Sequence, residues 1–219
     1  MKKLLVFAAL CLPLLVVSCN GEKKALSGTE NGHDWVDLGL SVKWATCNVG
    51  AEAPEDPGLY FAWGERNKKA DYLWATYNWC QDDQNHLTKY NPNKYFGKTD
   101  IKKVLVPDDD VATKWGSTWR MPTKEEWEEL YTQCTWEWTG KGYKVSGRNG
   151  QSIFLPAAGS LQEKGSKPDS DGNYWSSSLD VEHPIYAFRL NFSADGRRLS
   201  GFARCVGLSV RPVLMEKTE

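Results

Sequence analysis

Several groups of side chains have the types that chemistry uses. Six cysteines (Cys11, Cys19, Cys47, Cys80, Cys134 and Cys205) offer thiols that could bind soft metals, act as nucleophiles or pair as disulfides. No Cys-x-x-Cys occurs, which argues against a zinc ribbon or a thioredoxin-type site. His33, His86 and His183 have no ligand-type partner three or four residues further on, so they read as surface or turn residues. No metal and no cofactor is expected. The run Ser176-Ser177-Ser178 has nucleophile chemistry but lacks a Gly-x-Ser-x-Gly elbow, and a nearby His183 alone makes no triad. Its plainer reading is a strand whose hydroxyls bond backbone. Asp108-Asp109-Asp110 could hold a hard cation, but carboxylates at a helix start serve as caps and meet the dipole.

Recognition chemistry concentrates near the C-terminus. Residues 179–186 and 194–204 read as polar, Gly- or Pro-containing loops on either side of a strand at Phe188–Phe192. Arg197, Arg198 and Arg204 place guanidinium groups there that suit carboxylate, sulfate or phosphate. With Asp180, His183, Tyr186 and Arg189 they form the candidate ligand-binding set. The bland alternative is a solvated charged face. The formal net charge of -1 excludes a strongly basic nucleic-acid binder.

The N-terminus has its own logic. Lys2 and Lys3 precede an apolar run from Leu4 to Val17, which is shorter than the ~20 residues a membrane-spanning helix needs. The run ends Val16-Val17-Ser18-Cys19, which resembles the lipobox of bacterial lipoproteins, with Val16 in place of the commoner leucine. The expected organisation is a signal peptide over residues 1–18, a flexible tether over 19–32, and one domain over 33–219. Lipidation at Cys19 implies attachment to the outer membrane through acyl chains alone. Losing Lys2 and Lys3 with the leader would take the net charge to -3. In an exported chain Cys47, Cys80, Cys134 and Cys205 are candidates for disulfides, with three pairings open, or else buried thiols.

The elements that position these residues are mostly short strands. Thr123-Lys124-Glu125-Glu126 is a capping box, and Trp127, Leu130, Tyr131 and Cys134 then form one apolar helical stripe. A second helix is expected after Pro107, with Asp108 as N-cap and Val111, Ala112 and Trp115 facing inward. Asn149-Gly150 predicts a hairpin between Tyr143–Gly147 and Gln151–Leu155, and Asp195-Gly196 a second turn. Alternation marks strands at Val42–Thr46 and Phe188–Phe192, and a last strand falls within Leu208–Leu214. The result is an α+β single domain with short antiparallel strands and two helices. Trp44, Trp63, Trp119, Trp127 and Trp175 belong in the core. Of Trp74, Trp79, Trp136 and Trp138, one or two are expected at the surface.

The stretches DLGLSVKWATCNVGA (37–51), WGSTWRMPTKEEWEEL (115–130), IFLPAAG (153–159), YWSSS (174–178) and GLSVRPV (207–213) together resemble the Fibrobacter succinogenes major paralogous domain family. That resemblance covers nearly all of residues 35–214 and implies a C-type lectin-like fold in a cell-envelope lipoprotein. It implies no established activity. A weaker similarity, carried by Arg120-Met121-Pro122-Thr123 with Glu126-Trp127, runs to the formylglycine-generating, sulfatase-modifying enzymes of the same fold. Their closely spaced copper-binding cysteines have no counterpart in sequence here. Calcium-dependent sugar-binding triplets are also missing, Lys167-Pro168-Asp169 being the nearest. The expectation is therefore a non-catalytic, lipid-anchored binding or adhesion module whose ligand is a glycan or an envelope or host protein. The alternatives are a copper-dependent formylglycine-generating-type oxidase and a structural component of a surface complex.

Overall fold

The computed structural model describes residues 25–162 and 171–215. The lipobox, the leader and Cys19 lie outside these residues, as does Lys167-Pro168-Asp169. Eleven strands, one α-helix and four short 3-10 turns make up the regular structure of the described residues. The strands are β1 (Ser27–Glu30), β2 (His33–Val36), β3 (Lys43–Ala45), β4 (Trp119–Arg120), β5 (Thr135–Trp138) and β6 (Gly142–Ser146). They continue as β7 (Ser152–Pro156), β8 (Asp171–Leu179), β9 (Tyr186–Ser193), β10 (Gly196–Ala203) and β11 (Val213–Leu214), and α1 spans Lys124–Gln133. The strands pair with one another antiparallel, in one sheet ordered β1-β2-β3-β11-β4 and two three-stranded sheets, β5-β6-β7 and β10-β9-β8. This is a mostly-sheet α+β domain.

The capping box forms as its residues require. Thr123 Oγ1 accepts from Glu126 N at 3.3 Å, and Glu126 Oε2 accepts from Thr123 N at 2.8 Å. Arg120 grips the same carboxylate, which ties α1 to β4. Trp127 and Leu130 are fully buried, and the Trp127 ring meets Trp44 at 4.7 Å between centroids. Gly150, at φ +83°, makes the turn between β6 and β7 that Asn149-Gly150 predicts. Gly172 serves a different need, because a Cβ there would stand 2.0 Å from the Phe192 ring on the neighbouring strand.

Three expectations are corrected. The tether was expected to run to residue 32, but Ser27–Glu30 is a strand that pairs with β2. The second helix is two 3-10 turns, Pro107–Asp109 and Val111–Trp115. Asp110, not Asp108, caps the second turn, accepting from Ala112 N at 2.9 Å. The extended backbone at Asp110 breaks the run before four-residue bonding can propagate. Residues 196–203 are a strand rather than a loop, since every one of them pairs with β9.

The interior has two main parts. One packs α1 against β3, β6, β7 and β9 through Trp44, Trp127, Tyr143, Tyr174 and Phe192. The other lies under the long irregular connection between β3 and β4, where Trp63, Tyr72, Tyr77 and Tyr90 pack on Trp175, Leu208 and Val210. The five tryptophans expected inside are all fully buried. Trp74, Trp79, Trp136 and Trp138 are all half-buried, so none forms the expected exposed platform. Trp79 and Trp136 spend their ring N–H on the carbonyls of Gly64 and Leu130.

Candidate functional site

Arg189, Arg197 and Arg198 lie in the sheet β10-β9-β8, and its register separates them. Directly opposed residues share a face. Arg197 pairs with Phe192 and so turns toward α1, with its guanidinium 4.7 Å from the Tyr131 ring centre and 5.0 Å from that of Trp136. Arg198 pairs with Asn191, which pairs with Asn173; Arg189 pairs with Ser200 and with Trp175. Those residues share the opposite face. Near Trp175, Ala187 and Phe202 this face is apolar and joins the second core. Toward the β9–β10 turn it becomes polar, with Asp171, Asn173, Asn191 and Arg198.

Arg189 marks the boundary. Its guanidinium lies 3.5 Å from the Phe202 ring centre, and one terminal N–H group donates to Asn173 Oδ1. That same oxygen accepts from Asn191 Nδ2 at 3.0 Å, while Asn173 Nδ2 donates to Asp171 Oδ2 at 2.5 Å. Arg189 Nε is buried without an acceptor, and Nη1 is the only nitrogen of the group with a hydrogen-bond partner among the described residues. Burial and then the neighbouring Arg198 charge pull the Arg189 pKa down to about 10, against the favourable pull of Asp171. Arg198 itself is exposed and has no ion pair among the described residues. A depression of about 300 Å³ at this end is lined by Asn191, Ser193, Asp195, Gly196, Arg197 and Arg198. Two adjacent cations with unused donors, beside amide groups, can accept an anionic oxygen acceptor.

Asp180, His183 and Tyr186 sit together at the opposite end of the sheet. His183 Nδ1 is 3.4 Å from Asp180 Oδ2, and its ring is 6.3 Å from Tyr186. A Cβ on Gly201 would touch Asp180 Oδ2 and the Tyr186 side chain, which places both over β10. Asp180 Oδ1 also accepts from the amides of Glu182 and His183 at 3.2 Å, a local turn-forming role.

Arg204 does not belong to any binding surface. It is fully buried, donating to Tyr77 Oη (3.0 Å) and to the carbonyls of Tyr90 (3.1 Å), Pro184 (2.9 Å) and Lys89 (3.0 Å). It pins the irregular segment to the sheet. Arg211, not singled out in sequence, does the same elsewhere. It donates to Asn48 Oδ1 (2.8 Å) and to the carbonyls of Ala45 (3.0 Å), Thr46 (2.6 Å) and Phe154 (2.9 Å). The signal was available: a lone cation inside the apolar run Leu208–Leu214 must find internal acceptors.

The disulfide expectation is not met. Cys47, Cys80, Cys134 and Cys205 are all free thiols. Cys80 and Cys205 share the second core, and Cys80 Sγ donates to the Trp74 carbonyl at 3.0 Å. Burial pushes the Cys80 thiol up and the Cys205 and Cys134 thiols up to about 11. Among the described residues no group of three or more His, Cys, Asp or Glu side chains is placed to hold a metal ion. The serine run bonds backbone: Ser176 Oγ to Phe188 O at 2.9 Å, Ser177 Oγ to Pro122 O at 3.3 Å, with Ser178 Oγ accepting from Lys124 N at 3.0 Å. Two of the three aspartates are equally occupied, while Asp108 is exposed. Asp109 binds Tyr90 Oη and Lys89 Nζ, and Asp110 accepts from Met121 N at 2.7 Å besides Ala112 N. Burial still outweighs those bonds and pushes Asp110 up to about 6.

Cavities of about twice the volume of the depression beside Arg198 lie elsewhere. One of about 560 Å³ is formed by residues that include Pro54, Lys141, Ile153 and Phe154. One of about 620 Å³ is lined by residues that include Arg66, Leu105, Asp110, Trp119 and Met121, and the buried Nε of Arg66 has no acceptor. Comparison of the chain with protein-family models, with curated proteins and with solved structures gives no match.

Proposed function

We propose that the chain is a non-catalytic binding module of the C-type lectin-like, Fibrobacter succinogenes major paralogous domain type, held at the outer membrane by an acylated Cys19. Its ligand is an anionic glycan bearing sulfate or carboxylate groups, taken up by the polar face of β8–β10. The observation that carries this reading is Arg189. A charged group retained on a sheet with most of its donors unused, next to a second cation, is costly unless a partner supplies acceptors. An incoming anion would reach the terminal nitrogens of Arg189 and Arg198, with Asn191 beside them.

A glycan array carrying sulfated, uronate and neutral sugars tests the reading. Saturable binding to the anionic members, lost in Arg198→Ala, is the expected result. Equal binding of neutral and anionic glycans, or turnover of a glycan, would sink it. Palmitate labelling that disappears in Cys19→Ala tests the anchor separately. The copper-dependent oxidase alternative would draw on Cys80 and Cys205, and burial moves both thiols away from the thiolate form such a metal needs. A second reading has its own observation: the unmet Arg66 Nε favours a small apolar molecule with an acceptor oxygen in the 620 Å³ cavity. Ligand-detected NMR against a fragment set, compared between the native chain and Arg66→Lys, separates it from the sheet-face reading.

A further inference from the structure

The segment 94–104 belongs to neither core nor to the polar sheet face, and it carries an unusual surface. Ile101 is 94% exposed, Tyr95 79% and Val104 45%. Lys94, Lys98, Lys102 and Lys103 stand among them, all exposed, and none has an ion pair among the described residues. The one acidic residue of the segment, Asp100, is committed to its own turn. Its two oxygens accept from Tyr90 N at 2.9 Å and from Lys102 N at 3.0 Å.

The segment is held in shape from below. Leu87 N donates to Phe96 O at 2.6 Å, Lys98 N to Leu87 O at 2.8 Å and Asp100 N to Asn91 O at 2.8 Å. Gly97, at φ +113°, lets the chain pass close over Leu87, where a Cβ would stand 2.5 Å from the Leu87 carbonyl oxygen. Val104 bridges to Ser178 of β8. The apolar tips are thus presented on a fixed frame, so inserting them elsewhere needs little further ordering. Scattered exposed apolar residues are ordinary on a protein surface. Exposed apolar side chains within one short segment that also carries four exposed lysines without ion pairs are not, because the segment then combines apolar tips with an excess of positive charge.

We infer that segment 94–104 is a second membrane contact, in which Tyr95 and Ile101 enter the interface of an anionic phospholipid bilayer while the lysines meet its headgroups. A tyrosine and a lone aliphatic side chain suit the depth of the headgroup boundary, and lysines reach outward along their stems. No helix of the described residues is long and apolar enough to cross a membrane, so the contact is interfacial. The inference takes from the lipoprotein reading only the proximity of a bilayer.

Amide hydrogen exchange on the full chain tests it, with the chain reconstituted in vesicles of phosphatidylcholine alone and of phosphatidylcholine mixed with phosphatidylglycerol. Exchange within 94–104 should slow at least about fivefold in the anionic vesicles, since a single lysine near such a surface is worth about that factor. High salt should abolish the difference. Ile101→Asp and the pair Lys98→Glu/Lys102→Glu should each restore the neutral-vesicle rate while β8 and β9 exchange as before. Ile101→Asn serves if the acidic variant does not fold. Equal exchange in the two vesicle types overturns the inference. So does slowing that appears in neutral vesicles and grows with protein concentration, which would assign the surface to a second copy of the chain. Palmitate incorporation into the same preparation reports the anchor independently, so failure of the anchor and failure of the loop are told apart.

Discussion

Arg211 and Arg189 are both buried arginines, 0% and 8% exposed, yet they have opposite circumstances. Arg211 spends all three of its nitrogens on an asparagine oxygen and three backbone carbonyls. Arg189 has one bonded nitrogen, a second cation beside it and a buried donor with nothing to meet. Arg204 belongs with Arg211, since three of its four bonds gather carbonyls from two separate irregular segments and the fourth goes to the Tyr77 hydroxyl. The comparison shows what satisfaction does to a guanidinium. With acceptors supplied by an asparagine and by backbone carbonyls of loops and strand ends or edges, it works as an internal fastener. Without them it is a cost to the fold that a ligand can offset.

The largest effect should follow from breaking the fastened class. Arg211→Met leaves four acceptors without a donor and is expected to cost about 3–5 kcal/mol in urea unfolding. A loss below about 1 kcal/mol would end the distinction between the two classes. Arg204→Met should cost about 2–4 kcal/mol, since the methionine still fills part of the space between Trp63, Tyr77 and Tyr90. Near-UV circular dichroism should show the loss, as these are the aromatic rings around the fastener.

Asp110 sharpens the comparison from the acidic side. Its bonds are complete, but burial raises its pKa from 3.8 to about 6. The native chain therefore holds the Asp110 proton more firmly than the unfolded chain. The stability that this group contributes is present below the ordinary carboxyl range and is lost as pH rises from 3.8 through about 6. Between these limits the change is about 1–3 kcal/mol. The slope of urea stability against pH should differ between the native chain and Asp110→Asn by this amount. Parallel slopes would show that the two amide bonds cancel the burial.

The smallest effects belong to the unfastened class. Arg189→Met should change stability by less than about 1 kcal/mol, because the group removed was mostly unsatisfied. Arg198→Gln should stabilise by up to about 0.5 kcal/mol through relief of the Arg189 charge, while anionic glycan binding falls at least about tenfold. A stability loss with unchanged binding would place Arg198 in the fold rather than in recognition.

Local features were legible in the chain. The capping box, the apolar stripe of α1, the Asn149-Gly150 and Asp195-Gly196 turns and the five core tryptophans each depend on contacts within a few residues or on simple burial. The second helix failed because Asp110 bonds the distant Met121 N as well as Ala112 N and has an extended backbone. The candidate site was legible as a region but not residue by residue. Arg197, Arg198 and Arg204 look alike in sequence. Register sends Arg197 toward α1 and Arg198 to the other face, while Arg204 follows the end of β10 inward.

The amino-acid sequence by itself determined where the chain turns, where its helix starts and which large side chains leave water, because those choices rest on neighbours along the backbone and on area. Only the tertiary structure decided which arginines are fasteners and which are free to bind. A guanidinium's role depends on acceptors brought from as far away in sequence as residues 45, 46 and 154 for Arg211, and no local pattern encodes that meeting.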